Sequence, residues 1–406
     1  MMSTPHFELP FFTNLLILLV AAKILGEVFE RFRQPAMIGE ILAGILLGPS
    51  VANIIHRTEE VKVISELGIF LLVIIAGLEI NIEGVLKSLR GRNIIISCIA
   101  FSFPMVSGYA VGYFFNLDII TSLFIGLCVA ITALPVSIRM LMDLKQIHSD
   151  VGQKIISVAI FDDVLALSIL GVLLQIKGTN QSMSATLQII GLSILKLVFF
   201  ILLLSTTYWF IQKLLKKGDY LQTSLNKLVG FSKGKEPLFA LFFAFVLLFA
   251  TFTENLGLHF IVGAFFASML ISSKLVGEEN LKSISTTTHT MAMGFLAPIF
   301  FAGIGLEFNV HSISHLGLLA IVLLVSYGSK ILGGLSGGLL AGLNKKTALT
   351  LGIGLNARGI MELVIANIAY KHGLISTEVF SILVIMGILT TLTTPMLLRY
   401  AFQKWT

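Results

Sequence analysis

The sequence predicts an all-α polytopic membrane protein. Of its 406 residues, 56% are hydrophobic and 12% are charged, a balance that no soluble domain of this size needs for its core. Apolar runs of about 20 residues, the length of a membrane-spanning helix, recur along the chain. Two adjacent aspartates, Asp162 and Asp163, interrupt one of these runs. A carboxylate near the bilayer midplane costs about 2.5 to 3.5 kcal/mol, so the pair predicts ion or proton handling inside the membrane.

Thirteen apolar runs qualify as spans. Their approximate ranges are 11–30, 35–51, 63–80, 93–115, 119–141, 154–176, 187–212, 237–253, 257–273, 289–306, 313–342, 347–370 and 379–399. The second run is short and rich in glycine, which leaves its ends poorly defined. An odd number of spans places the two termini on opposite sides of the membrane.

Basic residues orient these spans. Twenty of the 28 Lys and Arg residues fall in loops that share one side of the membrane: Arg31, Arg33, Lys87, Arg90, Arg92, Arg139, Lys145, Lys154, Lys213, Lys216, Lys217, Lys227, Lys233, Lys235, Lys274, Lys282, Lys345, Lys346, Arg399 and Lys404. The opposite side holds Arg57, Lys62, Lys177 and Lys371. Because cytoplasmic loops carry the excess of Lys and Arg, the sequence predicts an N-terminus outside and a C-terminus in the cytoplasm.

Two pairs of similar segments, together called the echo, predict a duplicated architecture. The third span ends Gly77-Leu-Glu-Ile-Asn81 and the tenth ends Gly305-Leu-Glu-Phe-Asn309, and upstream of them Ile38-Gly-Glu-Ile-Leu-Ala-Gly44 resembles Val262-Gly-Ala-Phe-Phe-Ala-Ser268. Both pairs are seven spans apart, an odd offset, so the copies cross the membrane in opposite directions. The echo therefore predicts an inverted-topology repeat of spans two to six against spans nine to thirteen. Chance similarity between apolar helices is the alternative explanation.

Two interrupted spans occupy corresponding positions in this repeat. The fifth span carries Pro135 in its middle, where proline removes a backbone donor and frees a carbonyl group. The twelfth carries a polar, glycine-rich segment with Gly354, Asn356 and Gly359 at the same depth. In membrane proteins built from inverted repeats, such matched interruptions mark the binding site. We expect two discontinuous helices, with a pair of ordinary kinked helices as the alternative.

Different roles are predicted for the two aspartates. They lie about 100° apart around the helix axis, so they cannot both face the same neighbour. Lys330, in the eleventh span, is the natural partner of one of them, because an attraction of about 4 kcal/mol at 4 Å holds both groups charged. Burial disfavours the charged form of the other aspartate, so a proton or a small cation can satisfy it, but not both together. Mutually exclusive occupancy is the basis of exchange.

Hydroxyl and carbonyl oxygens, together with a second basic residue, complete the candidate site. Thr132, Ser137 and the carbonyls of the interrupted fifth span can coordinate a hard monovalent cation, although hydroxyls that bond back to their own helix are an equal alternative. Arg358 and Glu362 are at i and i+4 on the twelfth span. They form a local salt bridge, or Arg358 neutralises helix C-termini or carboxylates in the core.

The other acidic residues within spans predict ordinary contacts. Glu79 and Glu307, at span ends, are expected at the membrane interface. Glu40 lies on a face rich in small residues, where helix packing and a satisfied polar contact are expected. Lys23 and Glu27 are expected to pair locally at i and i+4.

Composition disfavours other functional classes. The net charge of +6 does not indicate nucleic-acid binding, because the basic residues fall between apolar runs and form no groove with stacking aromatics. Cys98 and Cys128 lie in apolar runs and predict packing residues rather than a disulfide or metal site. No cofactor is predicted.

Six segments, in order along the whole chain, carry a family resemblance: Gly39-Glu-Ile-Leu-Ala-Gly-Ile-Leu-Leu-Gly-Pro-Ser50, Phe161-Asp-Asp163, Gly263-Ala-Phe-Phe-Ala267, Pro298-Ile-Phe-Phe301, Lys330 and Asn356-Ala-Arg-Gly359. Together they resemble the monovalent cation:proton antiporters of the Kef/Nap type, in the sodium/hydrogen exchanger superfamily. The resemblance implies thirteen helices, two of them discontinuous and crossed, in a homodimer that works by elevator-like alternating access in the bacterial cytoplasmic membrane.

The resemblance also implies a division of labour along the chain. Spans 1–3 and 8–10, about 11–80 and 237–306, correspond to a scaffold part that forms the dimer. Spans 4–6 and 11–13, about 93–176 and 313–399, correspond to an ion-binding core part, and span 7, about 187–212, corresponds to a linker helix. Position by position, Asp163 is similar to the aspartate that carries the ion and the proton, and Asp162 to the one that pairs with Lys330. Thr132 and the fifth-span break are similar to the cation's neutral ligands.

Two departures from the family pattern leave points open. Bacterial Nap-type relatives read Arg-Gly-Glu on the twelfth helix, whereas here the acid comes at Glu362, as in plant endomembrane exchangers, so its contact with the ion is not predicted. Kef systems have Gln-Asp in place of Asp-Asp and carry a cytosolic nucleotide-binding domain. That domain is not expected here, and a separate regulatory subunit stays open.

The function predicted from the sequence is secondary active exchange of Na⁺ for protons in an electrogenic cycle, with K⁺ and Li⁺ as alternative cations. A channel-like K⁺ efflux system is the nearest alternative. Intramembrane aspartyl proteases are more distant, because their two aspartates face each other from different helices, whereas adjacent residues on one helix diverge.

Overall fold

A computed structural model describes residues 10–32, 34–55, 58–80, 91–176, 183–216 and 236–405. These residues form helices joined by short connections and contain no strand. In chain order the helices are α1 Phe11–Arg31, α2 Ala36–Leu47, α3 Glu59–Glu79, α4 Asn93–Phe114, α5 Ile119–Ala130, α6 Leu134–Asp143, α7 Asp150–Leu173, α8 Met183–Lys216, α9 Glu236–Asn255, α10 Phe260–Leu270, α11 Ser273–Val276, α12 Glu278–Met291, α13 Ala297–Glu307, α14 Leu316–Leu340, α15 Lys345–Gly354, α16 Ile360–Lys371 and α17 Thr377–Trp405. A π-helical turn, Ala292–Leu296, joins α12 to α13.

Helix lengths support a polytopic membrane protein. In the part of the chain that the structure describes, ten helical segments are long and apolar enough to cross a membrane. This count takes α5 and α6 as one segment, and α12, the π-helical turn and α13 as another. Helices α2 and α10 are apolar but shorter. A helix of 12 residues, such as α2, extends about 18 Å, less than the hydrocarbon thickness of about 30 Å. The count of thirteen spans therefore stays a prediction.

Side-chain caps fix where several helices begin. Asp118 accepts a hydrogen bond from the Thr121 N–H at 3.0 Å before α5, and Ser149 accepts one from the Gly152 N–H at 3.0 Å before α7. Asp, Ser and Asn are preferred at this position because their side chains satisfy N–H groups that have no partner within the helix. The start of α7 is thus fixed twelve residues before Asp162.

Two groups of helices pack among themselves. Helices α1–α3 contact α10 and α13, chiefly through α2 against α13 and α3 against α10, and α9 packs against α10. Helices α4–α7 contact α14–α17, chiefly through α4 against α5 and α14 and through α14 against α15. These groups follow the scaffold and core parts of the sequence, whose separate roles stay a prediction.

Close backbone contacts repeat between the two halves of the chain. A Cβ on Gly39 would lie 2.3 Å from the Leu25 carbonyl oxygen, and one on Gly263 would lie 2.3 Å from the Phe249 carbonyl oxygen. The spacing between glycine and carbonyl is the same in both copies. This pair joins α1 to α2 and α9 to α10, so the repeated contacts begin at the first and eighth spans, one span earlier than the sequence predicts.

The same correspondence holds in the second group of helices. A Cβ on Gly126 would lie 2.4 Å from the Met105 carbonyl oxygen, and one on Gly352 would lie 2.4 Å from the Ile331 carbonyl oxygen. Only glycine permits such close approach of two helix backbones. The repeat therefore has a physical basis in matched helix contacts, and the opposite membrane orientation of its copies stays a prediction.

Some residues that orient the spans or form the echo lie outside the described ranges. Asn81 of the echo and nine of the basic residues that orient the spans lie there: Arg33, Arg57, Lys87, Arg90, Lys177, Lys217, Lys227, Lys233 and Lys235.

Candidate ion-binding site

Two helix interruptions meet in the core. The spans predicted at 119–141 and 347–370 are each divided in two, between α5 and α6 and between α15 and α16. The Ala133 N–H donates to the Ala357 carbonyl at 2.9 Å, and the Thr132 hydroxyl donates to the Leu355 carbonyl at 3.0 Å. Backbone groups freed within a membrane need partners inside the protein. Each interruption here supplies some of the partners that the other needs.

Glycine and proline residues allow the two interruptions to approach each other closely. A Cβ on Gly359 would lie 2.8 Å from the Ala133 Cβ, so a side chain there would separate the two interruptions. Pro135 lies in the first turn of α6, where its missing N–H has no intrahelical partner to lose. The sequence placed this proline in the middle of one span, whereas it begins the second of two helices. Gly354 ends α15, and a Cβ on it would lie 2.3 Å from the Ile155 Cδ1 on α7.

Lys330 and Asp162 form a buried ion pair. The Lys330 Nζ lies 2.8 Å from the Asp162 Oδ2, and both side chains are completely buried. The ammonium group also donates to the Ala130 carbonyl and to the Ala100 carbonyl at 3.3 Å. Its three hydrogens thus have an acceptor each, which is the condition under which a buried charge is tolerated. The pair connects α14 to α7 and to the end of α5.

Asp163 has no such partner. It is 1% exposed, its Oδ1 is buried without a hydrogen bond, and no ion pair to it is present in the described part of the chain. The charges that act on it are those of Asp162, Glu79 and, with opposite sign, Lys330. Because Lys330 is already paired with Asp162, this surrounding favours a positive ion or a proton on Asp163.

Arg358 donates hydrogen bonds to carbonyls at the end of α5 and to the Asn356 side chain. It lies farther from the Glu362 carboxylate. Its guanidinium donates to the Val129 carbonyl at 2.7 Å, to the Cys128 carbonyl at 3.4 Å, and to the Asn356 Oδ1 at 3.3 Å. The Nε lies 3.9 Å from the Glu362 Oε2, beyond hydrogen-bond distance. Of the two predicted readings, this geometry favours neutralisation of a helix C-terminus over a simple local salt bridge.

The uncharged residues of the candidate site differ in their hydrogen bonds. The Thr132 hydroxyl bonds across to the other interruption, not back to its own helix. The Ser137 Oγ and the Asn356 Nδ2 are buried without a hydrogen-bond partner. Ser137 therefore retains a free oxygen close to the start of α6, and the cation-binding roles of Thr132 and Ser137 stay predictions.

Glu79 is exposed at the end of α3, consistent with the interfacial position expected of it. Three other charged residues differ from the sequence prediction. Lys23 does not pair with Glu27: its Nζ donates to the Met293 carbonyl at 3.3 Å, and Glu27 pairs with Arg31 at 3.4 Å. Glu40 makes no hydrogen bond within the described ranges, contrary to the satisfied contact expected of it. The echo segment Ile38–Gly44, which contains Glu40, was the sequence signal that marked one of these positions.

Comparison with known proteins identifies the family of the chain. The family model described as the transmembrane sodium/hydrogen exchanger matches residues 15–400. The chain belongs to this family. It is an integral, multi-pass membrane protein and a secondary transporter of the cation:proton antiporter class, not an enzyme.

Relatives match along nearly their whole length. The chain is 30% identical to the Na⁺/H⁺ antiporter NhaS4 of Synechocystis over 411 residues, covering 95% of this chain and 96% of the relative. It is 28% identical to the probable Na⁺/H⁺ antiporter GerT of Bacillus cereus, covering 97% and 99%. The Na⁺/H⁺-K⁺ antiporter GerN of the same organism is 27% identical, with 97% of each chain covered.

A solved structure shares the fold. The sodium proton antiporter MjNhaP1 from Methanocaldococcus jannaschii superimposes with a TM-score of 0.71, at 15% identity, over 97% of this chain and 98% of that one. The predicted all-helical class is thereby confirmed, while the crossing of the two discontinuous helices stays a prediction.

Proposed function

We propose that the protein exchanges Na⁺ for protons by alternating access, with Asp163 as the group that holds either ion. The observation that carries the proposal is the contrast between two adjacent buried carboxylates. Asp162 is neutralised by Lys330 at 2.8 Å, whereas Asp163 is equally buried and has no fixed counter-ion. An unpaired carboxylate in the membrane core needs a proton or a cation.

Neutral oxygens at the interrupted fifth span support cation binding. Ser137 has an unpaired buried hydroxyl, and Thr132 can exchange its bond to the Leu355 carbonyl for a cation contact. Hard monovalent cations require several such oxygens in place of their hydration shell. We assign Thr132 and Ser137 as ligands and leave Glu362 out, since it lies nearest to Arg358.

Na⁺ is the proposed cation, with K⁺ and Li⁺ as alternatives to be tested beside it. NhaS4 and GerT are named for Na⁺/H⁺ exchange, and GerN for Na⁺/H⁺-K⁺ exchange. The cycle is proposed to be electrogenic: Lys330 releases a proton when the cation arrives, so two protons move for each monovalent cation. The two packed groups of helices support an elevator-like movement of the core part against the scaffold part.

The proposed setting is a homodimer in the bacterial cytoplasmic membrane, with the N-terminus outside and the C-terminus in the cytoplasm. The Lys and Arg distribution supports this orientation.

Reconstituted protein tests the proposal. Proteoliposomes with an imposed pH gradient are given Na⁺, K⁺ and Li⁺ in turn, and the internal pH is followed with a dye. Exchange predicts that at least one cation dissipates the gradient, and that cation movement stops when proton movement is prevented. Cation flux that continues without proton movement would instead identify the channel-like alternative.

A further inference from the structure

A buried carboxylate lies in a cleft that leads to the helix interruptions. The cleft has a volume of about 360 Å³ and is lined by α1, α2 and the π-helical turn on one side and by Pro135, Val136 and Ile360 on the other. These last residues immediately follow the two interruptions. The cleft opens where α2 begins, the end of the bundle that the basic residues predict to be cytoplasmic.

Glu40 is the unpaired acid of this cleft. It is 4% exposed, lines the cleft, and forms neither a hydrogen bond nor an ion pair with any described residue. The neighbouring acids are paired: Glu30 with Arg139 at 3.3 Å and Glu27 with Arg31 at 3.4 Å. Their side chains are 44% and 61% exposed, respectively.

Among the described residues, the basic side chains of the cleft form no ion pair with Glu40. Lys23 acts on it electrostatically, but its Nζ donates to the Met293 carbonyl at 3.3 Å. Arg139 is held by Glu30, and His289 lines the same cleft. A largely buried carboxylate that faces a cleft and makes no hydrogen bond favours a proton or a mobile cation as its partner.

The repeat shows that Glu40 is particular to one end of the molecule. Gly39 and Gly263 make matching backbone contacts, so the residues that follow them, Glu40 and Ala264, occupy matching positions. A second cleft, of about 540 Å³, lies where α3 begins. Its acids, Glu66 and Glu254, are both exposed. Within the described residues, only the first cleft thus has a buried carboxylate.

We propose that Glu40 forms a staging site for the transported monovalent cation, in competition with a proton, on the route from the cytoplasm to Asp163. The proposal rests on the proposed exchange function. A cation leaving water at this end meets the Glu40 carboxylate first and then the neutral oxygens beyond Pro135. Glu40 raises the local concentration of cation without taking part in the exchange at Asp163.

Sided kinetics test the staging site. Exchange by Glu40→Gln is measured in everted and in right-side-out membrane vesicles with Na⁺, K⁺ and Li⁺. Removing the charge that concentrates cations in the cleft predicts a rise of about tenfold in the half-saturating cation concentration. The rise is expected only when the cation is supplied on the cytoplasmic face, with the maximal rate within about twofold of the wild type. A purely structural role would lower the maximal rate in both vesicle orientations.

Two control variants and the wild type separate the possible results. Glu27→Gln removes the same charge from a paired, exposed residue of the same cleft, and its half-saturating concentration is expected to stay unchanged. Glu40→Asp keeps the charge and is expected to retain most of the affinity, even if the isosteric Gln variant folds poorly. Active wild type with an unchanged half-saturating concentration in Glu40→Gln would overturn the staging site alone. Wild type that exchanges none of the three cations would overturn the proposed function instead.

Discussion

Lys330 and Arg358 bond to successive carbonyls at the end of the same helix. Lys330 donates to the Ala130 carbonyl, and Arg358 donates to the Val129 carbonyl at 2.7 Å. Carbonyls at a helix C-terminus carry partial negative charge and lack intrahelical partners. In water such groups are solvated, but in a membrane core the two long side chains replace the solvent. The end of α5 is therefore held in place by the same cations that balance the nearby carboxylates.

Asp163→Asn is expected to abolish coupled exchange and leave a folded protein. The amide keeps the volume of the carboxylate but can neither release a proton nor balance a cation. Dissipation of a pH gradient by purified protein is the measurement. Asp150→Asn is the matched control, because Asp150 lies on the same helix α7 but is 73% exposed and paired with Lys154; it should exchange normally. Robust gradient dissipation by Asp163→Asn would remove Asp163 from the site.

Lys330→Gln is expected to make residual exchange electroneutral. With two protons per cation, one net charge moves per cycle, and 100 mV then biases exchange by about 2.3 kcal/mol. Current on a solid-supported membrane distinguishes the wild type from the variant. Exchange by the wild type without any current would show that the lysine is a structural partner only.

The same substitution is expected to lower the free energy of unfolding by about 3 kcal/mol, because Asp162 is left buried without its partner. Adding Asp162→Asn removes the second charge as well and should restore much of the loss. Thermal unfolding in detergent measures both effects. Equal stability of the single and double variants would contradict the importance of the 2.8 Å contact.

Thr132→Val is expected to weaken apparent cation affinity more than maximal rate. The change removes one neutral oxygen, and with it the bond to the Leu355 carbonyl, at a cost of about 1 kcal/mol in stability. Thr132→Ser keeps the hydroxyl and serves as the control. If the half-saturating concentration of every transported cation is the same in the Val variant as in the wild type, Thr132 is not a ligand.

Gly359→Ala is expected to destabilise the protein by about 1 to 3 kcal/mol through overpacking. The new Cβ would meet the Ala133 Cβ at 2.8 Å. Combining it with Ala133→Gly removes that contact and should recover part of the loss, although the Val136 Cγ2, at 3.1 Å, remains close. If the effects of the two substitutions on the free energy of unfolding are additive, the two interruptions are not in contact in solution.

The sequence alone predicted the features that depend on buried charges and on residues that interrupt helices. Lys330 could be matched to one of the two aspartates because few cations lie within spans. The family resemblance indicated Asp162, and the contact between Lys330 and Asp162 is present in the structure. The interruptions near Pro135 and Gly359 were predicted from residues that disfavour continuous helix. Glu40 was misplaced because the direction of a side chain on a fully packed helix depends on its neighbours. The start of the repeat was missed because the contact between Gly39 and the Leu25 carbonyl involves backbone, which leaves little trace in side-chain pattern.

The separation of Asp162 and Lys330 along the chain has a consequence for biosynthesis. Their contact spans 168 positions, and a ribosome that adds about 5 to 20 residues per second needs on the order of 10 to 30 s to make them. Throughout that interval α7 has no lysine to meet its aspartate. A protonated carboxylic acid is the form that a bilayer accepts at lowest cost. Asp162 is thus expected to enter the membrane as a neutral acid and to ionise only when α14 arrives, so the ion pair marks the completion of insertion.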